Sequence, residues 1–227
     1  MDFIRFNKNV WELFGNTMFN KIFTKSYITH YFNGQFRSVL SAGGFYKQEQ
    51  DKLKDIIKNH IVIGETKLKT AYSIMYYVNH TYPSSRFYTY DKKETWNTPI
   101  ETIESFEYRK KTRDYKNTKE CKTTDCDDYA ILIYSLCRVA GLTEDDIYLC
   151  FNQADGEGYH LNCMFIDISV SGQKVPYVME GTYRPFEAER NFGVTTFDNI
   201  KYKNNWVYTQ VRYIFNDKCC FKNIIYK

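Results

Sequence analysis

Apolar residues recur at three- and four-residue spacing in the first part of the chain and alternate one-in-two in the second part. The pattern predicts helices first and strands afterwards. Residues 48–60 (QEQDKLKDIIKNH) carry Leu53, Ile56 and Ile57 on one face of a surface helix. Residues 66–80 form a second helix with an apolar stripe of Leu68, Ala71, Ile74, Met75 and Val78, ended by Tyr82-Pro83-Ser84-Ser85. Phe87 to Asp91 reads as a short extended segment, and Ile100 to Phe106 as one or two helical turns. Residues 108–123 (YRKKTRDYKNTKECKT) show no apolar period and read as a basic loop.

The clearest helix runs from Cys126 to Val139 or Ala140 and stops at Gly141, a natural residue just past a helix end. Thr124 or Asp125 can cap it, with Asp127 or Asp128 completing a capping-box-like start. Positions 126, 130, 133, 137 and 140 read Cys, Ala, Ile, Cys, Ala, a mostly small face suited to close packing on a sheet. Leu132, Leu136 and Val139 lie elsewhere on the helix, so more than one side is expected to be buried.

Strand-like runs follow at Ile147–Asn152, Tyr159–Asp167, Pro176–Glu180 and Trp206–Phe215, with a last one at residues 221–226. Asp155-Gly156-Glu157-Gly158 and Ser171-Gly172-Gln173 are turn signals between them. Helices followed by an antiparallel sheet make an α+β chain. Residues 1–47 are rich in Phe, Tyr and Asn and poorly periodic. Val10, Leu13, Met18 and Phe19 suggest a short helix in what reads as an N-terminal arm, and Gly43-Gly44 breaks it from a main domain spanning 48–227.

Composition narrows the classes. Hydrophobic residues make up 43% of the 227 residues, enough for a core, which excludes a disordered chain. Net charge is +4, and Lys and Arg are spread except in 108–123, so a nucleic-acid partner is not expected. The seven Cys are an odd number, several within apolar runs, which fits free thiols in a reducing, cytoplasmic compartment. Cys121 and Cys126 lack a matching second pair, so no metal is expected. Met1 to Asn7 have no basic segment followed by an apolar run, and no stretch approaches the ~20 apolar residues of a membrane span, so neither a signal peptide nor a membrane is expected.

Three residues could carry chemistry. Cys126 sits in the first turn of the Cys126 helix, where free N–H groups and the helix dipole favour a thiolate and could receive an oxyanion. Asp125, Asp127 and Asp128 oppose that ionisation, so a partner imidazolium is needed. His160 is the one His after residue 80 and lies near the start of a strand. Glu180 ends the next strand, where it can bond the far nitrogen of His160 and fix its tautomer. Each also has a plain reading: a structural Cys, a packing His and a solvent-facing Glu.

Thr124-Asp125-Cys126-Asp127-Asp128-Tyr129-Ala130, with Arg138-Val139-Ala140-Gly141 closing the helix, resembles the Cys motif of transglutaminase-like cysteine peptidases. Gly158-Tyr159-His160-Leu161-Asn162 resembles the family's His strand, and Glu180-Gly181-Thr182 its Asp-x-Thr motif. Tyr88–Asp91 and Trp96-x-Thr98-Pro99-x-Glu101-Thr102 resemble the segment before the Cys. The likeness covers residues 66–182. It implies a papain-like, transglutaminase-like α+β core, with the Cys-bearing helix packed on an antiparallel sheet and the N-terminal arm as a helical extension.

The resemblance also implies a cofactor-free Cys126–His160–Glu180 triad that attacks a peptide or protein amide, most readily as a hydrolase, with Trp96 at the oxyanion site or groove wall. Three departures stand out: Thr124 where Gly is usual, Glu180 where Asp is more common, and a longer 108–123 segment. That segment is a solvated insertion, a lid or a contact for an acidic partner. The rival reading is a virion or assembly protein that keeps this fold as an interaction module, with the aromatic N-terminal arm as its protein contact.

Overall fold

The computed structural model describes residues 23–25, 48–90, 96–154, 158–168, 172, 174–182, 192–194, 200–201, 207–217 and 220–223. The expected helix at Val10–Phe19, the turn at 155–157 and the end of the last strand fall outside them. Of the N-terminal 47 residues, strand β1 (Phe23–Lys25) is described and pairs with the C-terminal strand β8 (Cys220–Asn223).

Helix α1 (Gln48–His60) carries Glu49 and Asp51 in its first turn and Lys58 and His60 in its last, complementing the helix dipole. It buries Leu53 and Ile57. Helix α2 (Lys67–Thr81) starts where the Thr66 hydroxyl accepts the Lys69 N–H at 3.2 Å. Of the expected stripe, Ala71, Ile74, Met75 and Val78 are buried and Leu68 is half-buried, and the structure adds Thr70 and Asn79 to the inner face. A short turn, α3 (Ser84–Phe87), stands where an extended segment was expected to begin. Beyond it Thr89 makes a bridge with Thr124.

Helix α4 (Pro99–Thr112) opens on a complete capping box, Thr98 with Glu101, and Pro99 in its first turn. It runs past the one or two turns expected and takes in residues 108–112 of the segment read as a loop. The reason is Arg109, which is fully buried. Its guanidinium donates to the carbonyls of Phe87 (3.0 Å), Asn117 (3.0 Å) and Lys122, and to the Thr124 hydroxyl (2.6 Å). The fork geometry lets one side chain staple the rest of the segment onto the helix. Thr124 donates its own hydroxyl to the Phe87 carbonyl at 2.8 Å, so the residue that replaces a Gly is a junction of this network. The remainder is a folded connection rather than a free insertion: Lys122 pairs with Glu101, and Lys116 donates to the Tyr88 carbonyl.

Helix α5 (Cys126–Val139) is buried from Asp127 to Cys137 and followed by Gly141 at φ 98°, as its sequence predicted. It lies on an eight-stranded antiparallel sheet that includes β2 (Ile147–Ala154), β3 (Gly158–Ile168), β4 (Lys174–Met179), β5 (Phe192–Val194), β6 (Ile200–Lys201) and β7 (Val207–Phe215). The spatial order is β1-β8-β7-β2-β3-β4-β5, with β6 beside β7. The Cys163 thiol of β3 donates to the Ala130 carbonyl of α5 at 2.9 Å, so the small face of the helix sits directly on the central strand. The chain is therefore α+β, with the Cys-bearing helix packed on an antiparallel sheet. Among the described residues no helix is long and apolar enough to cross a membrane.

Arg109→Ala should lower unfolding stability by about 3 kcal/mol or more, because it empties a buried site and orphans several carbonyls at once. Arg109→Lys should recover less than half of that, since one ammonium cannot span the same acceptors. Urea denaturation of the three proteins measures both.

Candidate active site

The site forms where the first turn of α5 meets the ends of β3 and β4. Asp128 builds that turn. One carboxylate oxygen accepts the Asp125 N–H at 3.1 Å and the other accepts the Asn97 N–H at 2.9 Å. The first bond closes the helix start, and the second ties the Trp96-Asn97 segment to it. Asn97 Nδ2 donates to the Thr123 carbonyl at 2.6 Å, so the chain on both sides of the cap is held. Trp96 is half-buried and stacks on Phe215, with ring centroids 6.2 Å apart.

Cys126 is half-buried. Its sulfur faces the backbone N–H of Leu161, the residue next to His160 on β3, and lies within electrostatic reach of Glu180. Burial, then the Asp125 and Asp127 carboxyls and more weakly Glu180, push the thiol well above its ordinary pKa; the Leu161 N–H pulls the other way. The helix-terminal advantage expected from sequence is outweighed, as the three neighbouring Asp residues suggested.

His160 Nε2 meets Glu180 Oε2 at 2.8 Å. The His side chain keeps 15% of its surface exposed while that of Glu180 keeps 1%, so the ring is reachable and its partner is sealed. The other Glu180 oxygen accepts the Thr182 N–H at 2.7 Å and the Thr182 hydroxyl at 2.8 Å. Burial pushes the Glu180 carboxyl up, but the His160 ring and the Thr182 donors outweigh it and hold the group below the usual carboxylate range.

Two residues that sequence reasoning passed over fix this segment from behind. Asn79 Nδ2 of α2 donates to the Glu180 carbonyl at 2.9 Å, and Ser84 Oγ donates to the Thr182 carbonyl at 3.0 Å. Asn79 carried a signal: it falls four residues after Met75, on the buried face of α2, where a polar side chain needs a buried partner. Between these two anchors Gly181 lies against α5. A Cβ there would stand 2.8 Å from Tyr129 Cβ and 3.2 Å from Ile133 Cδ1.

On the other side of β3, β2 shifts register against β7 between Phe151 and Asn152 and again between Gln153 and Ala154. Asn152 is the cross-strand partner of His160, so the sheet is irregular beside the histidine.

Asp127 is buried, and burial together with the Asp128 and Asp125 carboxyls raises its pKa well above the ordinary value. Asp125, Cys126 and Asp127 bring one ligand-type atom each within 4.8 Å of one another. Acidic groupings of this kind are common without an ion, and this one assigns no metal.

The structure thus puts His160 and Glu180 in direct contact, sets the Cys126 sulfur against the amide of Leu161, the residue next to His160, and ties the Trp96-Asn97 segment to the same helix turn. No family model matches the chain, and no curated protein matches it. Among solved structures, LapG of Legionella pneumophila is similar at a TM-score of 0.46 and 13% identity, over 84% of this chain and 87% of that one. Its EGTA-treated form gives the same score and identity over 84% of each chain. The calcium-bound form gives 0.44 and 15%, over 76% of this chain and 87% of that one. Likeness at this level assigns no family, and the functional reading rests on the residues of the site.

Two substitutions probe its construction. Gly181→Ala should cost about 1–3 kcal/mol, since the nearer contact, Tyr129 Cβ, is fixed to the α5 backbone, and should weaken the His160–Glu180 contact, visible as a shift of the His160 ring signals in NMR. Asp127→Asn should act through pH. A carboxyl whose folded pKa is raised binds its proton more tightly in the native state, so its stabilising contribution is lost as pH rises from the unfolded value through the folded one. The variant should match the wild type at about pH 4 and exceed it by about 1 kcal/mol or more at pH 8, read by denaturation at both pH values.

Proposed function

We propose that the protein is a thiol-dependent acyl-transfer enzyme that opens amide bonds, working mainly as a hydrolase, that is, a cysteine peptidase or amidase of transglutaminase-like type. The observation that carries this reading is the His160–Glu180 contact, with Glu180 locked on its far side by Thr182, next to the strand residue that faces Cys126. A buried carboxylate held in one orientation against a partly exposed imidazole suits a base and its orienting acid.

The contact also supports a direction of proton flow. Glu180 accepts the Nε2–H, so Nδ1 is the ring nitrogen left to take a proton. With the thiol pKa pushed up by burial and by Asp125 and Asp127, His160 acts as general base during attack rather than as half of a preformed ion pair. Nδ1 takes the thiol proton as sulfur bonds to the amide carbon. The carbonyl oxygen becomes an oxyanion facing the N–H groups at the start of α5. The imidazolium then passes its proton to the amine nitrogen, the C–N bond breaks, and an acyl-enzyme remains. A water gives a proton to Nδ1 and attacks the thioester, and the acid leaves as the thiol reforms.

In this reading the substrate is a peptide or protein amide, Trp96 walls the oxyanion side, and no cofactor takes part. The setting is cytoplasmic. The upward push on the Cys126 thiol favours a second reading: an assembly module, as in a virion, that keeps the fold without the chemistry and meets its partner through the N-terminal arm.

Iodoacetamide separates the two. A thiol pushed up and left alone alkylates slowly at pH 7. Cys126 should nonetheless react at least about tenfold faster than the half-buried Cys121, and His160→Asn should bring it to the Cys121 rate or below, as mass spectrometry of the labelled peptides would record. A Cys126 no faster than Cys121, and indifferent to His160→Asn, leaves the module reading.

A further inference from the structure

Glu180 lies one residue beyond the end of β4, and strand pairing with β3 stops at Cys163 and Met179. The carboxylate that meets His160 is therefore not held by the sheet. It is held by contacts from outside the sheet. Thr182 gives two donors to Oε1, its backbone N–H at 2.7 Å and its hydroxyl at 2.8 Å. Asn79 and Ser84 take up the Glu180 and Thr182 carbonyls, at 2.9 and 3.0 Å. Gly181 rests on Tyr129 and Ile133 between them.

We propose that Thr182 is a positioning residue for the triad: its hydroxyl, on a segment clamped by Asn79 and Ser84, keeps Glu180 aimed at His160. The proposal rests on the functional reading above, since it assigns Thr182 a part in that reaction. With Oε1 occupied, the carboxylate has one oxygen left for the ring, and its rotation about the terminal bond is stopped. Without that hydroxyl Oε1 keeps only the Thr182 N–H, so a carboxylate so buried is held less firmly in one orientation and bears its charge at a greater penalty. The titratable groups facing Glu180 are His160 from β3, Cys126 from α5 and Cys163 within β3. Of these His160 is the one in hydrogen-bond contact, so orientation of the carboxylate acts on the reaction through the ring.

The test compares Thr182→Val, which removes the hydroxyl and keeps the shape, with Thr182→Ser, which keeps the hydroxyl. The first measurement is the titration midpoint of Glu180 by 13C NMR of Glu-labelled protein, with the resonance assigned by its loss in Glu180→Gln. The second is the pH 7 alkylation rate of Cys126. Removing a donor from a carboxylate raises its pKa, so Thr182→Val should move the midpoint up by about one pH unit. It should also slow alkylation by about tenfold, while Thr182→Ser stays close to the wild type in both. Asn79→Leu, which leaves the hydroxyl but frees the backbone, should move both in the same direction by less, and serves if the valine variant fails to fold.

An unmoved midpoint in Thr182→Val overturns the proposal, as does equal slowing in the valine and serine variants, which marks a packing role alone. Failure of the functional reading looks different. There the wild-type Cys126 shows no activation over Cys121, whereas here activation is intact and the Thr182 variants leave it and the Glu180 midpoint untouched.

Discussion

The arrangement depends on how closely the start of α5 lies against the chain leaving β4. At Gly181 the separation leaves no room for a methyl group, with Tyr129 Cβ 2.8 Å from where one would sit. This contact brings the acid segment within reach of the first turn, where Cys126 faces the Leu161 amide. Tyr129 is also fixed at its far end, its hydroxyl donating to the Tyr82 carbonyl at 2.8 Å. The missing side chain at Gly181 permits the approach, and Asn79 and Ser84 hold the segment from the other side. The position of Glu180 is thus decided by three elements that converge on the tripeptide 180–182, while the sheet supplies its partner His160.

That close packing has an electrostatic cost at the thiol. Asp125, Asp127 and Asp128 are all buried at the helix start, and Asp128 is required there because its two oxygens close the cap and hold Asn97. Burial raises the Cys126 pKa most, and the Asp125 and Asp127 carboxyls add to it. The backbone donors of the helix end and the Leu161 N–H work in the opposite sense. They are neutral dipoles, worth less at short range than a full charge in a buried setting. In the proposed reaction such a thiol is deprotonated in the act of attack, and a base whose orientation is fixed beforehand then matters more than it would for a preformed thiolate, the part that the hold on Glu180 would play.

Much of this was legible in the chain. The 3.6-residue stripe of α2, the capped helix ending at Gly141 and the alternation of β2, β3 and β7 all follow from local chemistry. His160 and Glu180 were found because one His was available and one acid stood at the next strand end. The extension of α4 was not legible. Arg109 sits in a run of basic residues, and nothing local distinguishes the one arginine that turns inward, since its partners lie at Phe87, Asn117, Lys122 and Thr124. The clamp on the acid was hidden for a similar reason: Asn79 and Glu180 are 101 residues apart, and only packing brings them together. A polar residue on a buried helical face indicates that a partner exists but does not name it.

The use of Glu rather than Asp at position 180 follows from where β4 ends. The backbone of 180–182 is pinned by Asn79, Ser84 and the contact with Tyr129, so its distance from His160 is set before any side chain is chosen. From that backbone the carboxylate must reach Thr182 with one oxygen and His160 Nε2 with the other, at 2.7–2.8 Å each. Removing one methylene shortens the reach by about 1.5 Å, the length of a C–C bond. An aspartate could then keep the Thr182 donors or the imidazole, but not both without moving a backbone held on three sides. The longer side chain thus compensates for an acid segment that α5, α2 and Ser84, rather than the strand, hold in place.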